Sequence, residues 1–387
     1  MSEKKRRKKK PKPEPTSPSA LNVMPGIEAG HDGMPRSPSK ASRLRSRARS
    51  RAPDMTTEQY AEGVLSGDRT ILGRAITLVE SNARHHQEQT QEVLKLLIPR
   101  AGESIRVGIT GVPGAGKSTF IETLGCRLTT QGHKVAVMAV DPSSSLTRGS
   151  ILGDKIRMER LSQDPNAFIR PSPSGGALGG VTRKTREIMI LFEAAGYDVL
   201  LIETIGVGQS EIAVRSMVDF FLLILIAGAG DELQGMKKGV FEIADAVLVN
   251  KADGANIRAA GLARAEYERA LHYLPPATMG WRTGVHLTSA LTGEGIDEIW
   301  TVIKKFREVT TASGEFSRRR RGQTRDWLHS MVEERLRDTF YRNEAIKEVL
   351  PGLEQDVMSG ILPVTRGAWQ LLKIFEENMG RNQAKDR

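Results

Sequence analysis

The chain has 387 residues, with 57 Lys and Arg, 46 Asp and Glu, and a formal net charge of +11. Residues 1–51 carry fifteen Lys or Arg against four Asp or Glu, which leaves 42 of each for the rest, so the excess charge belongs to the tail and argues against a basic nucleic-acid groove in the body. The one cysteine, Cys126, excludes an intrachain disulfide and fits a reducing compartment, and no apolar run approaches the roughly 20 residues that a spanning helix needs.

Residues 1–55 read KKRRKKKPKPEP and then RSPSKASRLRSRARSRAP. Such a basic, Ser/Pro-rich stretch buries too little apolar surface to offset its ordering entropy, and disorder is expected, with any nucleic-acid contact confined to weak charge attraction. It has no apolar core of a secretory signal, and its lysine run with Glu3 and Glu14 fits a transit peptide poorly. The expected compartment is the cytoplasm of a bacterium, or the mitochondrial matrix for a eukaryotic chain. Residues 56–103 carry helical spacing in TTEQYAEGVLSG, AITLVE and VLKLLI. His85 and His86 fall in a polar helix as solvated residues, and no Cys/His cluster has metal-ligand spacing.

Residues 104–312 alternate strand and helix. The strands are RVGIT, KVAVMAV, DVLLIE, DFFLLILIA, AVLVN and VHLTS. Apolar throughout, they predict an α/β domain with a mostly parallel sheet covered on both faces. Asp164 to Gly180, rich in Pro, Ser and Gly, reads as a long loop. Residues 313–387 return to helix in TRDWLHSMVEERLRDTF and GAWQLLKIFEEN. The two helical extensions suggest protein contacts, most simply self-association into a homodimer; the plainer alternative is packing on the core.

Gly111-Val112-Pro113-Gly114-Ala115-Gly116-Lys117-Ser118 matches G-x-x-x-x-G-K-[ST], between the strand 106–110 and a helix over 117–130, with Thr119 next along the helix. The glycines let backbone N–H groups turn inward onto phosphate oxygens. Lys117 adds charge near the β and γ phosphates, and Ser118 offers a hydroxyl to Mg²⁺. Asn250-Lys251-Ala252-Asp253 closes the strand AVLV, at the edge where open α/β sheets bind ligands. The Asp253 carboxylate can accept from both N1–H and the 2-amino group of guanine, which adenine cannot supply. Lys251 can lay its stem along the base, and Asn250 can tie neighbouring loops. Ser289-Ala290-Leu291 follows another short strand and suits backbone contacts to guanine.

Three acids are candidates for the metal: Asp141 after KVAVMAV, Asp154 in Gly-Asp-Lys, and Glu203 opening Glu203-Thr204-Ile205-Gly206. That last sequence takes the place of a D-x-x-G switch, where Gly206 can present its N–H to the γ-phosphate. Lys117, Asp141 and Glu203 are the catalytic candidates. Val207 stands where many GTPases carry a water-orienting glutamine, with Gln209 two residues on, so slow intrinsic GTP hydrolysis raised by a partner is expected.

Gly111–Ser118, AVDPSSS, GSILGDKIRM, IETIGVGQSE, GDELQGMKKGVFEIAD and NKAD, with the flanking helices, resemble the MeaB/ArgK group of GTPases over roughly residues 56–378. Their animal counterpart is the methylmalonic aciduria type A protein. The resemblance implies a P-loop fold of the G3E (SIMIBI) type and a dimeric chaperone for adenosylcobalamin-dependent methylmalonyl-CoA mutase or a related acyl-CoA mutase. Such a chaperone gates cofactor loading from a cobalamin adenosyltransferase and protects the mutase; adenosylcobalamin enters only through the mutase. The resemblance also matches Lys117, Ser118, Asp141, Asp154 and Glu203 to nucleotide and metal positions. It makes the loop 230–239, with Asp231, Gln234 and Lys237, a mobile "switch III". A nickel metallochaperone GTPase is opposed by the lack of His-rich tracts or Cys pairs. An amino-acid-transport ATPase or kinase is opposed by Asn250–Asp253 and by the lack of an H-R-D catalytic loop.

Overall fold

Phe221 and Leu222, neighbours on one strand, pack into different cores, and that alternation organises the fold. The structure is a computed structural model describing residues 55–140, 158–170, 178–204, 210–228 and 239–385; the tail Met1–Asp54 lies outside them. The strands are β1 (Ile105–Gly111), β2 (Val135–Val140), β3 (Ala167–Arg170), β4 (Val199–Thr204), β5 (Phe220–Ile226), β6 (Ala246–Asn250) and β7 (Gly284–Leu287). They form one seven-stranded sheet in the order β3-β2-β4-β1-β5-β6-β7, with every pairing parallel.

The helices are α1 (Thr57–Leu65), α2 (Arg69–Glu80), α3 (Arg84–Leu97), α4 (Lys117–Thr130), α5 (Glu159–Gln163), α6 (Leu178–Ala194), α7 (Ser210–Arg215), α8 (Gly239–Glu242), α9 (Ile257–His272), α10 (Ile296–Ala312), α11 (Glu315–Arg342), α12 (Glu344–Met358) and α13 (Val364–Lys385). On one face, Val107, Ile109, Leu201 and Leu222 pack against α4, α9 and α10 through Phe120, Leu124, Tyr267 and Phe306. On the other, Leu200, Ile202 and Phe221 meet α6 and α1–α3 through Phe192, Leu72, Ile76 and Leu97. The N-terminal helices thus complete the second core. Thr56 starts them with a reciprocal cap: its hydroxyl accepts from Gln59 N while its own N donates to Gln59 Oε1.

One expectation is corrected. The stretch 164–180 is not one loop: Ala167–Arg170 forms the edge strand β3, paired with β2 from Val135↔Ala167 to Met138↔Arg170, and α6 begins at Leu178. Four residues are too few for periodicity to announce a strand. The Arg170 guanidinium anchors it by bonding both carboxylate oxygens of Glu80 on α2.

The 28-residue α11 is fastened to the sheet side of the domain near its start. Arg320 grips Asp219 through Nε and Nη2 at 2.8 and 2.6 Å and donates to Ser104 O at 2.7 Å. Gln323 Nε2 donates to Val218 O at 2.8 Å. Arg319 stands 3.6 Å from Asp245, which also pairs with Arg215 of α7 at 2.7 Å. Further along, Leu328, Val332 and Leu336 recur every four residues and are exposed.

Candidate nucleotide-binding site

The parallel sheet brings the C-terminal ends of β1, β4 and β6 to one edge, where ligands of such folds bind. β1 runs into Gly111, whose φ is +153°. A Cβ there would stand 2.0 Å from Ile224 O on β5, so only glycine lets the loop leave the sheet this closely. Gly116, at φ +86°, caps α4, and a Cβ on it would come within 2.7 Å of Asn250 Nδ2. No side chain caps α4, so the partial positive charge of its first N–H groups faces the loop. Lys117 Nζ donates to Gly111 O at 2.9 Å and to Val112 O at 3.3 Å, folding its ammonium over the loop.

Ser118 on α4 and Glu203 at the end of β4 meet directly: the hydroxyl donates to Glu203 Oε1 at 3.2 Å. Glu203 is buried. A hydroxyl and a carboxylate side by side are the hard oxygen donors that Mg²⁺ takes when phosphates and waters complete its octahedron, so these residues fit that ion. Among the described residues no group of three or more His, Cys, Asp or Glu forms a metal cage. Asp141, Asp154, Gly206, Val207, Gln209 and the loop candidates Asp231, Gln234 and Lys237 lie outside the described residues.

Asn250 is almost wholly buried and joins three segments. Its Nδ2 donates to Ala115 O at 2.7 Å, and its Oδ1 accepts from Ala290 N at 3.0 Å and Thr288 Oγ1 at 3.4 Å. Lys251, at φ +59°, turns the chain, and its carbonyl accepts from Asn256 Nδ2 at 2.7 Å. The Ser289 hydroxyl donates to Asp253 Oδ2 and accepts from Thr292 N at 3.1 Å. Ser289 therefore acts here through its side chain, by fixing the Asp253 carboxylate. Leu291 points away from packing, 83% exposed. Pro113, Gly114, Ala115 and Thr119 continue the loop and the first turn of α4.

Other contributors carry no sequence signal. Thr123 Oγ1, on α4, donates to Ala290 O at 2.8 Å, and Arg127 Nη2 to Gly293 O at 2.7 Å. These bonds fix the 289–293 loop against the helix after the phosphate loop. Thr204 and Thr110 share a buried hydroxyl bond of 2.8 Å between β4 and β1. All depend on tertiary proximity. Cys126, also on α4, is half-buried; burial pushes its thiol up, so it is poorly suited to act as a thiolate.

The Methylmalonyl Co-A mutase-associated GTPase MeaB family matches residues 72–345. The chain belongs to the MeaB family. A Caulobacter vibrioides protein named as a GTPase is 53% identical over 323 residues, covering 84% of this chain and 99% of that protein. The mitochondrial methylmalonic aciduria type A homolog of Mus musculus is 47% identical over 324 residues, covering 81% of this chain and 78% of its own length. A solved structure titled LAO/AO transport system kinase has a TM-score of 0.68 and 39% identity, covering 83% of this chain and 97% of that one. In this MeaB-family chain the candidate phosphate loop, the Ser118–Glu203 pair and the candidate base motif lie on one sheet edge.

Proposed function

We propose that this chain binds and hydrolyses GTP, and that its nucleotide state controls adenosylcobalamin loading and protection of a B12-dependent acyl-CoA mutase of the methylmalonyl-CoA mutase type. The observation that carries the nucleotide half is Asp253, held by the Ser289 hydroxyl beside Asn250, which itself grips the phosphate loop. A fixed carboxylate at that edge pairs with the N1–H and 2-amino group of guanine; adenine offers neither donor there and would leave the carboxylate's base-facing lone pairs without a partner. The same geometry speaks against an ATP-dependent kinase.

The residues divide the work. The first N–H groups of α4 and the Lys117 ammonium hold the phosphate oxygens, and positive charge placed there stabilises the charge that develops during phosphoryl transfer. Ser118 and Glu203, with Asp141 and Asp154, would hold Mg²⁺, which offsets phosphate charge when bound. Gly206 offers an N–H to the γ-phosphate. Val207 has no group that could orient water, which supports slow intrinsic turnover raised by a partner.

The family description and the name of the mouse relative support a mutase as client. The loop with Asp231, Gln234 and Lys237 is the proposed relay to it, and a cobalamin adenosyltransferase the proposed source of cofactor. The exposed stripe Leu328–Val332–Leu336, with Trp369 at 72% exposure on α13, supports homodimerisation through the C-terminal helices.

The test is capture. The full chain, loaded with GDP or with a non-hydrolysable GTP analogue, is immobilised and offered a B12-dependent mutase. Nucleotide-dependent retention is expected, with GTP hydrolysis faster in the complex. Failure to retain a mutase in either state would remove the client assignment and leave the GTPase reading standing.

A further inference from the structure

A cavity of about 600 Å³ lies between α6, α7 and α11, among side chains that the nucleotide site does not use. Its lining includes two guanidiniums, Arg183 and Arg186, and the indole of Trp327. Arg186 is only 7% exposed. Its Nη groups donate to Ser216 O at 2.6 Å, to Ser216 Oγ at 3.0 Å and to Gln323 O at 3.3 Å. Among the described residues these bonded acceptors are all neutral, and the Asp326 carboxylate acts on this buried cation through its charge rather than through a hydrogen bond. Arg183 Nε stands 3.9 Å from Glu187 Oε2, beyond hydrogen-bond reach.

Among the described residues, three shielded nitrogens around this one cavity have no acceptor: Arg183 Nε, Arg186 Nε and Trp327 Nε1. Buried donors are normally satisfied, because each one left unpaired keeps its full desolvation cost. Three on one cavity, two of them on cations, mark a place where acceptor oxygens are missing. Burial lowers the Arg186 guanidinium to about 10, with the Asp326 charge offsetting only part of that effect, which still leaves it charged at neutral pH.

We infer that this cavity binds a small organic carboxylate, whose oxygens accept from Arg183, Arg186 and the Trp327 indole. The volume is in the range of small-molecule sites. Guanidinium forks match carboxylate and phosphate alike, but the acids among the lining residues decide between them. Asp326, Glu333 and Glu334 also line the cavity, with Arg337, and three acids there disfavour a doubly charged phosphate. Ala213, Met331 and the indole face offer apolar surface to a hydrocarbon body. Entry turns the Trp327 ring, which rests 5.5 Å over Arg186 and shields the inner nitrogens. Because α7 follows the switch segment 205–209 and α11 opens the C-terminal arm, an occupant here would brace one against the other.

The experiment is a titration of the full chain, ¹⁵N-labelled at its tryptophan indoles, with hexanoate at constant ionic strength. The chain has four tryptophans, and Trp327→Phe assigns the signal. The Trp327 indole N–H is expected to move downfield and saturate, while hexanamide, the neutral isostere, leaves it in place. Arg183→Gln should weaken hexanoate binding about tenfold or more, since a charge-assisted bond is lost. Trp327→Phe should bind GTP as the parent does, which shows that the fold survives. An unmoved indole, an equal response to hexanamide, or equal competition by inorganic phosphate would overturn the inference. So would a downfield indole without hexanoate that grows with protein concentration, because a second copy's carboxylate would then be the occupant.

Discussion

Asn250 Nδ2 donates to the Ala115 carbonyl at 2.7 Å, so the strand that ends in the base motif directly holds the phosphate loop. The same side chain accepts from Ala290 N at 3.0 Å. Asn250→Ala strips both bonds and leaves a buried N–H and a buried carbonyl without partners. The expected cost is about 1–3 kcal/mol of folding stability, read by urea denaturation. GTP affinity should fall roughly tenfold or more by calorimetry, because two loops lose their common anchor. An alanine variant with parental affinity would show that Thr123 and Arg127 alone position the 289–293 loop.

Asp253 differs from Asn250 in what it should do to selectivity. Asp253→Asn replaces an acceptor pair by an amide that can donate. Guanine then meets a donor facing its own 2-amino group, whereas xanthine presents a carbonyl at that position. The expected result is weaker GTP binding with a gain for xanthosine triphosphate, seen in competition against a fluorescent nucleotide. Because the Ser289 hydroxyl fixes the Asp253 carboxylate, Ser289→Ala should weaken GTP binding in the same direction and to a smaller extent. Parental selectivity in Asp253→Asn would take the base-reading role away from this residue.

Strands 105–111, 135–140 and 246–250 and the helix 117–130 are readable from apolar runs and the glycine-lysine motif, since burial on both faces leaves an unbroken hydrophobic signal. β3 is not, because Ala167–Arg170 is four residues long at an edge and owes its place to β2 and to Glu80. The proposed phosphate and base motifs can be picked out in the sequence because each is contiguous. The part of the site that holds them together is not: Thr123 and Arg127 read as ordinary helix residues until the 289–293 loop is folded beside them. Arg186 and Trp327 are in the same position, 141 residues apart and meeting only through α6 and α11.

Glu203 should separate nucleotide binding from metal-dependent turnover. Its carboxylate accepts from the Ser118 hydroxyl at 3.2 Å, on the edge where phosphates would sit. Glu203→Gln keeps size and hydrogen bonding but removes the charge that a divalent cation needs. Single-turnover GTP hydrolysis in saturating Mg²⁺ is expected to fall roughly 100-fold, in the range typical for loss of one preorganised electrostatic contact. GDP binding in EDTA should stay within about threefold of the parent, a difference below 1 kcal/mol. Equal losses in both assays would make Glu203 a structural support of the loop.

Asp245 tests how the C-terminal arm is fastened. Its carboxylate is fully buried, pairs with Arg215 at 2.7 Å, accepts from Phe221 N at 2.9 Å and from the Thr278 hydroxyl, and stands 3.6 Å from Arg319. One carboxylate therefore serves two guanidiniums from α7 and α11, each mostly buried. Asp245→Ala leaves both cations and a strand N–H uncompensated, and about 3–5 kcal/mol of stability should be lost. The exposed pair Arg264–Glu268, at 48% and 46% side-chain exposure, is the control: Glu268→Ala should cost no more than about 0.5 kcal/mol. Because Arg319 sits in the early turns of α11, Asp245→Ala should also raise amide exchange along 315–323 more than along the sheet strand β1. Uniform exchange, or a stability loss no larger than the Glu268 control, would mean that Arg320–Asp219 and Gln323 hold the arm without this hub.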